Sequence, residues 1–326
     1  MLTTSGFARS AEFYTHSIGP SGKHFNFADG NEGQELPSAI VYLARELDQP
    51  AWLNPKREMI RKSQGVSERF APLSILWWPA KGTGNLPSLS FAGQGEQPVA
   101  IWRSSWVDPH ALWFAIKGGG AAHNHAHMDS GSFVMDYAGL RWAKDLGMQD
   151  YNSLESRGVD LWNMRQESPR WKVFRLGSDA HNTLTVGGKP HSAVGMATLR
   201  MVKESEALID LSSVLGLKMA SRNVRFAANA VELEDRIEGA TPGVSIRWAM
   251  TTEANVQLEG STAVLTQKEK SMQVQFVGSG LRLEVRDIST PVSDLDSPNP
   301  NSRQLIANAP AQADGSWHLS VRFLAI

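Results

Sequence analysis

A chain of 326 residues with 41% hydrophobic and 20% charged residues is long enough for one large or two ordinary domains around a substantial core. Its 32 Lys and Arg against 33 Asp and Glu leave a net charge of -1, which excludes a global basic field for nucleic acid or an anionic membrane surface. The absence of cysteine excludes disulfides, zinc–thiolate centres and a thiol nucleophile, and no run approaches the ~20 apolar residues of a membrane span.

The chain opens in a helical grammar. Phe7, Ala11 and Tyr14 recur at helical spacing and predict a helix over residues 5–17, with no cap or leader before it, so a preceding segment is expected to be missing. Tyr14 itself reads as a helix-face residue packed in the core. LPSAIVYLAREL, residues 36–47, sets Ile40, Leu43, Ala44 and Leu47 on one face of a second helix, and KREMIRKSQ predicts a short charged one after Pro55.

From Ser74 the pattern changes. VAIWRSSW, ALWFAIKGG, GSFVMDYAG, LRWAKDLG and NTLTVGG alternate or bunch apolar residues and are closed by Gly, Asn or Asp-Pro; AVELEDRIEG, VSIRWAMTT, MQVQFVG and SWHLSVRFLAI continue the series. The expected fold is mainly β: a large antiparallel β-sandwich over residues 73–326, preceded by a short α-helical segment over 1–72. YNSLESRGVDLWNMRQESPRWKVFRL, residues 151–176, breaks the rhythm, and long excursions from a rigid sheet often carry function. Trp162 is its best candidate for stacking on a sugar ring, and Arg157, Arg165 and Arg170 are candidates for meeting sulfate or carboxylate groups.

AAHNHAHMDSGSF, residues 121–133, places His123, His125 and His127 on alternate positions, with Asp129 two residues on. In a strand, side chains at i and i+2 share a face, so the three imidazoles are predicted to converge. A metal needs three or four protein groups. Asp145 closes the hairpin GSFVMDYAGLRWAKD and returns beside the histidines, while His181 opens a later strand over the same sheet end. His127, Asp145 and His181 make a two-His, one-carboxylate set suited to zinc or another divalent ion, although spacing alone does not decide which His ligates.

KGGGAAHNHAHMDSGSFVMDYAGLRWAKDLGMQDY followed by FRLGSDAHNTLTVGG resembles the central β-sandwich region of the heparinase II/III-like polysaccharide lyases, and GPSGKHFNFADG is similar to the end of their helical toroid. The resemblance implies an incomplete (α/α) toroid followed by an antiparallel β-sandwich, with the active site in the cleft between them. It further implies a zinc ion, structural in role, held by His127, Asp145 and His181, with His125 as the active-site histidine, and we place His123 at the cleft edge as a substrate-binding neighbour. The implied reaction is β-elimination in a uronate-containing polysaccharide. The family's catalytic Tyr lies upstream of this chain, and AEFYTHS around Tyr14 does not match its motif. The expected partners are thus an acidic polysaccharide and, as a further expectation, a second copy of the chain in a homodimer. The parent protein is expected in the periplasm or outside the cell.

Two rival readings differ in what they require. A non-catalytic carbohydrate-binding sandwich, tied by zinc, needs the same ligands but no proton transfer. A cupin-like metal oxygenase or isomerase also uses His-x-His on a β-scaffold, but needs less sheet and an acidic ligand closer than Asp145 stands to His127. There is no P-loop, dinucleotide fingerprint or Gly-x-Ser-x-Gly elbow.

Overall fold

The computed structural model describes residues 5–33, 37–54, 57, 69–80 and 84–325. Its opening part includes the helices α1 (Ser5–His16), α2 (Ser38–Glu46) and α3 (Ala71–Trp77) among the described residues. The predicted apolar stripe of α2 is the face it buries, since Ile40, Val41, Leu43 and Ala44 pack with Ala11, Ile18, Trp52 and Leu53 into a small core. Apart from Arg57, the charged helix expected from KREMIRKSQ lies outside the described residues.

The next elements form a five-stranded antiparallel sheet in chain order: β1 (Ser90–Gly93), β2 (Val99–Arg103), β3 (Trp113–Lys117), β4 (Phe133–Tyr137) and β5 (Leu140–Ala143). There follow β6 (Leu184–Val186), β7 (Thr198–Lys203), β8 (Glu206–Asp210), β9 (Met219–Ala227), β10 (Ala230–Glu238), β11 (Ser245–Thr252), β12 (Asn255–Glu259), β13 (Thr262–Gln267), β14 (Lys270–Gly278), β15 (Arg282–Asp287), β16 (Arg303–Pro310) and β17 (Trp317–Ala325). They make an eight-stranded sheet in the order β12-β13-β14-β17-β10-β9-β8-β7 and a four-stranded sheet in the order β15-β16-β11-β6.

One core joins the three sheets. Trp102, Phe114 and Phe133 from the first, Trp248 from the smallest and Val224, Phe276 and Phe323 from the largest share it, with Phe133 set edge-on to Phe323 at 5.8 Å between ring centroids. The sheets differ on their other faces. Along β10 burial alternates, and outward Glu232 and Glu234 meet Arg322, Arg225 and Arg236 in water. Strands β2 and β3 are buried at every residue, because Val99, Ile101, Trp113 and Ala115 on the far face are covered by Phe25, Phe13 and Phe27 of the N-terminal segment.

That cover is fastened by polar contacts. Arg103 Nη2 donates to the Ile18 carbonyl at 2.6 Å, Trp113 Nε1 to that of His16 at 3.0 Å, and Arg141 Nη2 to that of His24 at 3.0 Å. Asp136, buried in β4, accepts from Arg141 at 2.5 Å and from the backbone N–H of Ser21 at 3.1 Å. A side chain at Gly19 would stand 2.1 Å from that carboxylate, so the chain turns onto the sheet where it carries none. Removing one member of such a buried ion pair typically costs about 3–5 kcal/mol.

Candidate functional site

The histidine cluster does not lie on a strand. Residues 118–132 form the loop between β3 and β4, and His125 sits in the left-handed region at φ 66°, which turns it away from its neighbours and corrects the expectation of one shared face. The His127 side chain is fully buried, that of His125 is 57% exposed, and His123 turns to Glu96, with Nδ1 3.2 Å from the carboxylate.

What brings His125 and His127 back together is Asp29. Ala28 takes the left-handed conformation at φ 53°, and its N–H donates to Asp129 Oδ2 at 2.9 Å; the other oxygen of Asp129 holds the buried ammonium of Lys117. So anchored, Asp29 donates its N–H to the His125 carbonyl at 3.2 Å and divides its carboxylate between the two imidazoles. Oδ1 lies 2.9 Å from His127 Nε2, and Oδ2 lies 3.0 Å from His125 Nδ1. The Tyr151 hydroxyl, at the start of α4 (Tyr151–Glu155), donates to the same Oδ2 at 2.5 Å and stands 2.8 Å from His125 Nδ1.

The electrostatics follow. Burial opposes ionisation of Asp29, but hydrogen bonds from His127 and Tyr151 outweigh it and hold its pKa below the ordinary value. Partial desolvation, then the Asp29 hydrogen bond and charge, push the Tyr151 hydroxyl up to about 12, so it keeps its proton near neutrality. With Asp29 ionised, His125 presents Nδ1–H to the carboxylate, which leaves Nε2 as the basic nitrogen on the exposed side.

Trp162 roofs this pair. Its ring meets His125 edge-on at 5.3 Å and Tyr151 at 5.4 Å, is 47% exposed, and donates Nε1–H to Glu155 at 3.1 Å. Arg170, expected to meet anions, is instead buried. It donates to the carbonyls of Leu161 at 2.8 Å and Ala126 at 2.7 Å, the neighbours of Trp162 and His125, and so fixes the gap between them. Arg157 is likewise committed, to the Asp294 carbonyl, while Arg165 stays exposed.

Behind Asp29 lies a buried group. His127 and His181 have ring centroids 5.4 Å apart, and His181 Nδ1 is 2.7 Å from Asp145 Oδ2. Burial lowers the pKa of His127; for His181 burial is outweighed by the charge and hydrogen bond of Asp145, and its pKa rises. The three segments are locked together by Asn182, whose amide donates to the carbonyls of Phe133 at 2.6 Å and Lys144 at 3.0 Å. Arg222, paired with buried Asp235 at 2.7 Å, donates to the carbonyls of Gly131 and Asn182.

His127 Nδ1 and His181 Nε2 are buried and find no hydrogen-bond partner. Each histidine thus has one nitrogen on a carboxylate and the other open, the arrangement by which carboxylates orient metal-ligating imidazoles. The donor types fit zinc. In this arrangement Asp145 is turned to His181, and among the described residues no three His, Asp or Glu stand ready as a complete ligand set. Buried polar atoms without partners are rare, so the two open nitrogens mark where an ion would be held.

Asp29 and Tyr151 were not singled out from the sequence. Both stood inside quoted stretches, FADG and DLGMQDY, yet they lie 96 and 26 residues from His125, where no local spacing connects them.

Residues 106–317 match the heparinase II/III-like C-terminal domain family. Among solved structures, a heparinase III gene product superposes with a TM-score of 0.64 at 16% identity over 97% of this chain and 45% of its own. A second heparinase III gives 0.62 at 14% identity over 98% and 48%, and the heparan sulfate lyase HepC from Pedobacter heparinus 0.59 at 15% over 95% and 45%. At these identities the likeness concerns the fold, and the chain spans less than half the length of each structure. No curated protein matches the chain.

Proposed function

Since the chain belongs to the heparinase II/III-like family through its C-terminal domain, we propose that it forms the sandwich half of a polysaccharide lyase and carries a proton-transfer histidine, His125. The observation that carries this reading is the placement of His125 on the Asp29 carboxylate, beside Tyr151 and under the exposed Trp162. A sugar ring stacked on Trp162 presents its edge to His125 Nε2. In a uronate unit linked through C4, Nε2 takes the C5 proton, the C4–O bond breaks as the C4=C5 bond forms, and the departing oxygen receives a proton from the imidazolium. Asp29 holds the imidazole in the needed tautomer and stabilises its charged form, while Tyr151 keeps its proton and fixes the carboxylate.

Zinc is part of the same reading. His127 and His181 would hold it through their open nitrogens, with Asp145 as the third group; its contribution there is to tie the β4–β5 hairpin to the His181 strand, a structural one. The cupin-like alternative gives way to the family membership. The zinc-tied binding module remains the second reading, favoured by the depth at which His127 and His181 are buried. The parent protein would act on its polymer outside the cytoplasm, and no described helix is long and apolar enough to cross a membrane.

The test is release of unsaturated uronate, followed in the ultraviolet, from a panel of uronate polysaccharides. It is run with the chain and with a form extended upstream to the length of its solved relatives. Product that disappears in His125→Ala supports the lyase. Product that persists in that variant transfers the chemistry elsewhere, and silence on every polymer leaves the binding module.

A further inference from the structure

Residues 288–302, between β15 and β16, fold back on themselves. Ile288 donates its N–H to the Ser302 carbonyl at 3.2 Å, and Asn299 returns to the start of the loop, its side-chain amide on the Ile288 carbonyl at 3.1 Å and its N–H on that of Ser289 at 2.9 Å. Inside, Asp296 Oδ2 accepts from the Ser293 N–H at 2.9 Å and from its hydroxyl at 2.8 Å. A surface loop braced by its own side chains can serve as a fixed support.

Its outward bonds converge on the segment that leads to Tyr151. Gln149 is buried and stands two residues before Tyr151. Its Oε1 accepts the Ser297 N–H at 2.9 Å and its Nε2 donates to the Leu295 carbonyl at 2.7 Å, so one side-chain amide pairs with the loop as a neighbouring peptide group would. Arg175 ties the same stretch, with Nε on Asn299 Oδ1 at 2.9 Å, Nη2 on the Pro298 carbonyl at 3.0 Å and Nη1 on that of Met148 at 2.9 Å. Leu295 and Tyr151 both pack against the cluster of Leu154, Leu161 and Val173.

Helix α4, which begins at Tyr151, spans five residues and is too short to hold its own geometry. Tertiary contacts must therefore place it. The placement is exacting, because the Tyr151 hydroxyl is 2.5 Å from Asp29 Oδ2 and a displacement of about 1 Å would break that bond. We propose that Gln149 is a positioning residue, which holds the Tyr151 hydroxyl on Asp29 by anchoring α4 to the 288–302 loop. Its effect on turnover rests on the lyase reading of His125, whereas its effect on Tyr151 does not.

Magnetic resonance of the chain with tyrosine labelled at Cζ, beside the hydroxyl, tests the placement. The chain has four tyrosines, and Tyr151→Phe identifies the Tyr151 signal by its loss. Gln149→Met, which keeps the buried volume and removes both bonds to the loop, should move that signal alone, while the other three record an intact fold. A Tyr151 signal that stays in place overturns the proposal. If all four move, Asp296→Asn is read by the same criterion; it is isosteric and loosens the loop from within, by setting an amide against the Ser293 donors.

Kinetics in the form extended upstream supply the second reading. Gln149→Met should lower kcat about tenfold with KM unchanged. In a Tyr151→Phe background it should cost less than about twofold, because both residues act through one hydroxyl. Equal losses in the two backgrounds overturn the proposal. Absence of turnover from every form counts against the lyase reading, and the resonance result then decides the positioning by itself.

Discussion

Asp29 gives one oxygen to each of two histidines under opposite physical conditions. His125 is half in water, on a left-handed backbone, against an exposed tryptophan; His127 is sealed from water, and its second nitrogen is open toward His181. Protonating the second would place a charge in the interior, and burial lowers its pKa accordingly, whereas the first stands at the surface. In the proposed reading one carboxylate serves a reactive half and a structural half, and substitutions should separate them.

The largest expected effect comes from removing what they share. Asp29→Ala strips the acceptor from His125, His127 and Tyr151 together, so the proposed lyase turnover should fall by about 10²–10⁴ and stability by about 3 kcal/mol. Product assays and denaturant titration would show whether the two losses come as a pair; retained turnover would break the link.

Next is the split itself. His125→Ala should lose a similar factor in turnover with the melting point nearly unchanged, because its side chain is 57% exposed. His127→Ala should instead cost about 2–4 kcal/mol, visible as a lower midpoint in urea. A melting point that falls equally in both variants would erase the distinction between the halves.

Zinc sharpens the buried half. If His127 and His181 take the ion, adding zinc at about 100 times its dissociation constant should stabilise the fold by about 2.7 kcal/mol, an increment lost in His181→Ala and after chelation. An identical melt with zinc and with chelator counts against the site.

Acidity probes buried histidines more generally. Burial, then the charge of Arg103, pushes the pKa of His16 down to about 3, and burial pushes His191 down to about 4. Both folded values lie below the unfolded ~6.5, so between them the unfolded chain binds more protons, and stability falls as pH drops below ~6.5, by about 1.4 kcal/mol per unit for each histidine. His16→Phe should make the loss between about pH 7 and pH 5 shallower; an unaltered slope would mean that His16 does not carry it. The smallest effect is Trp162→Ala, about fivefold in oligosaccharide affinity with stability unchanged.

The sandwich was legible because its outer sheet alternates cleanly, as in β9 and β10, and the helical start because Ile40, Leu43 and Ala44 keep a helical period. The site was legible only in part. His125, His127, Asp145 and His181 announced themselves by type and order. The alternation of the first histidines imitated a strand, and nothing local foretold the left-handed turn at His125. Arg170 looked like a group for sulfate or carboxylate, since the carbonyls it serves lie 9 and 44 residues away. Asp29 and Tyr151, 122 residues apart, meet only once the sheets have closed.

The bond from the Asp29 amide to the His125 carbonyl spans that same closure. Ordinary loops exchange their amide protons quickly, yet this one should be slow, because it is released only when the N-terminal segment lifts off the five-stranded sheet. Its exchange rate in deuterated solvent is thus a clock for the release of that segment, and a protease that cuts near residue 29 would keep the same time.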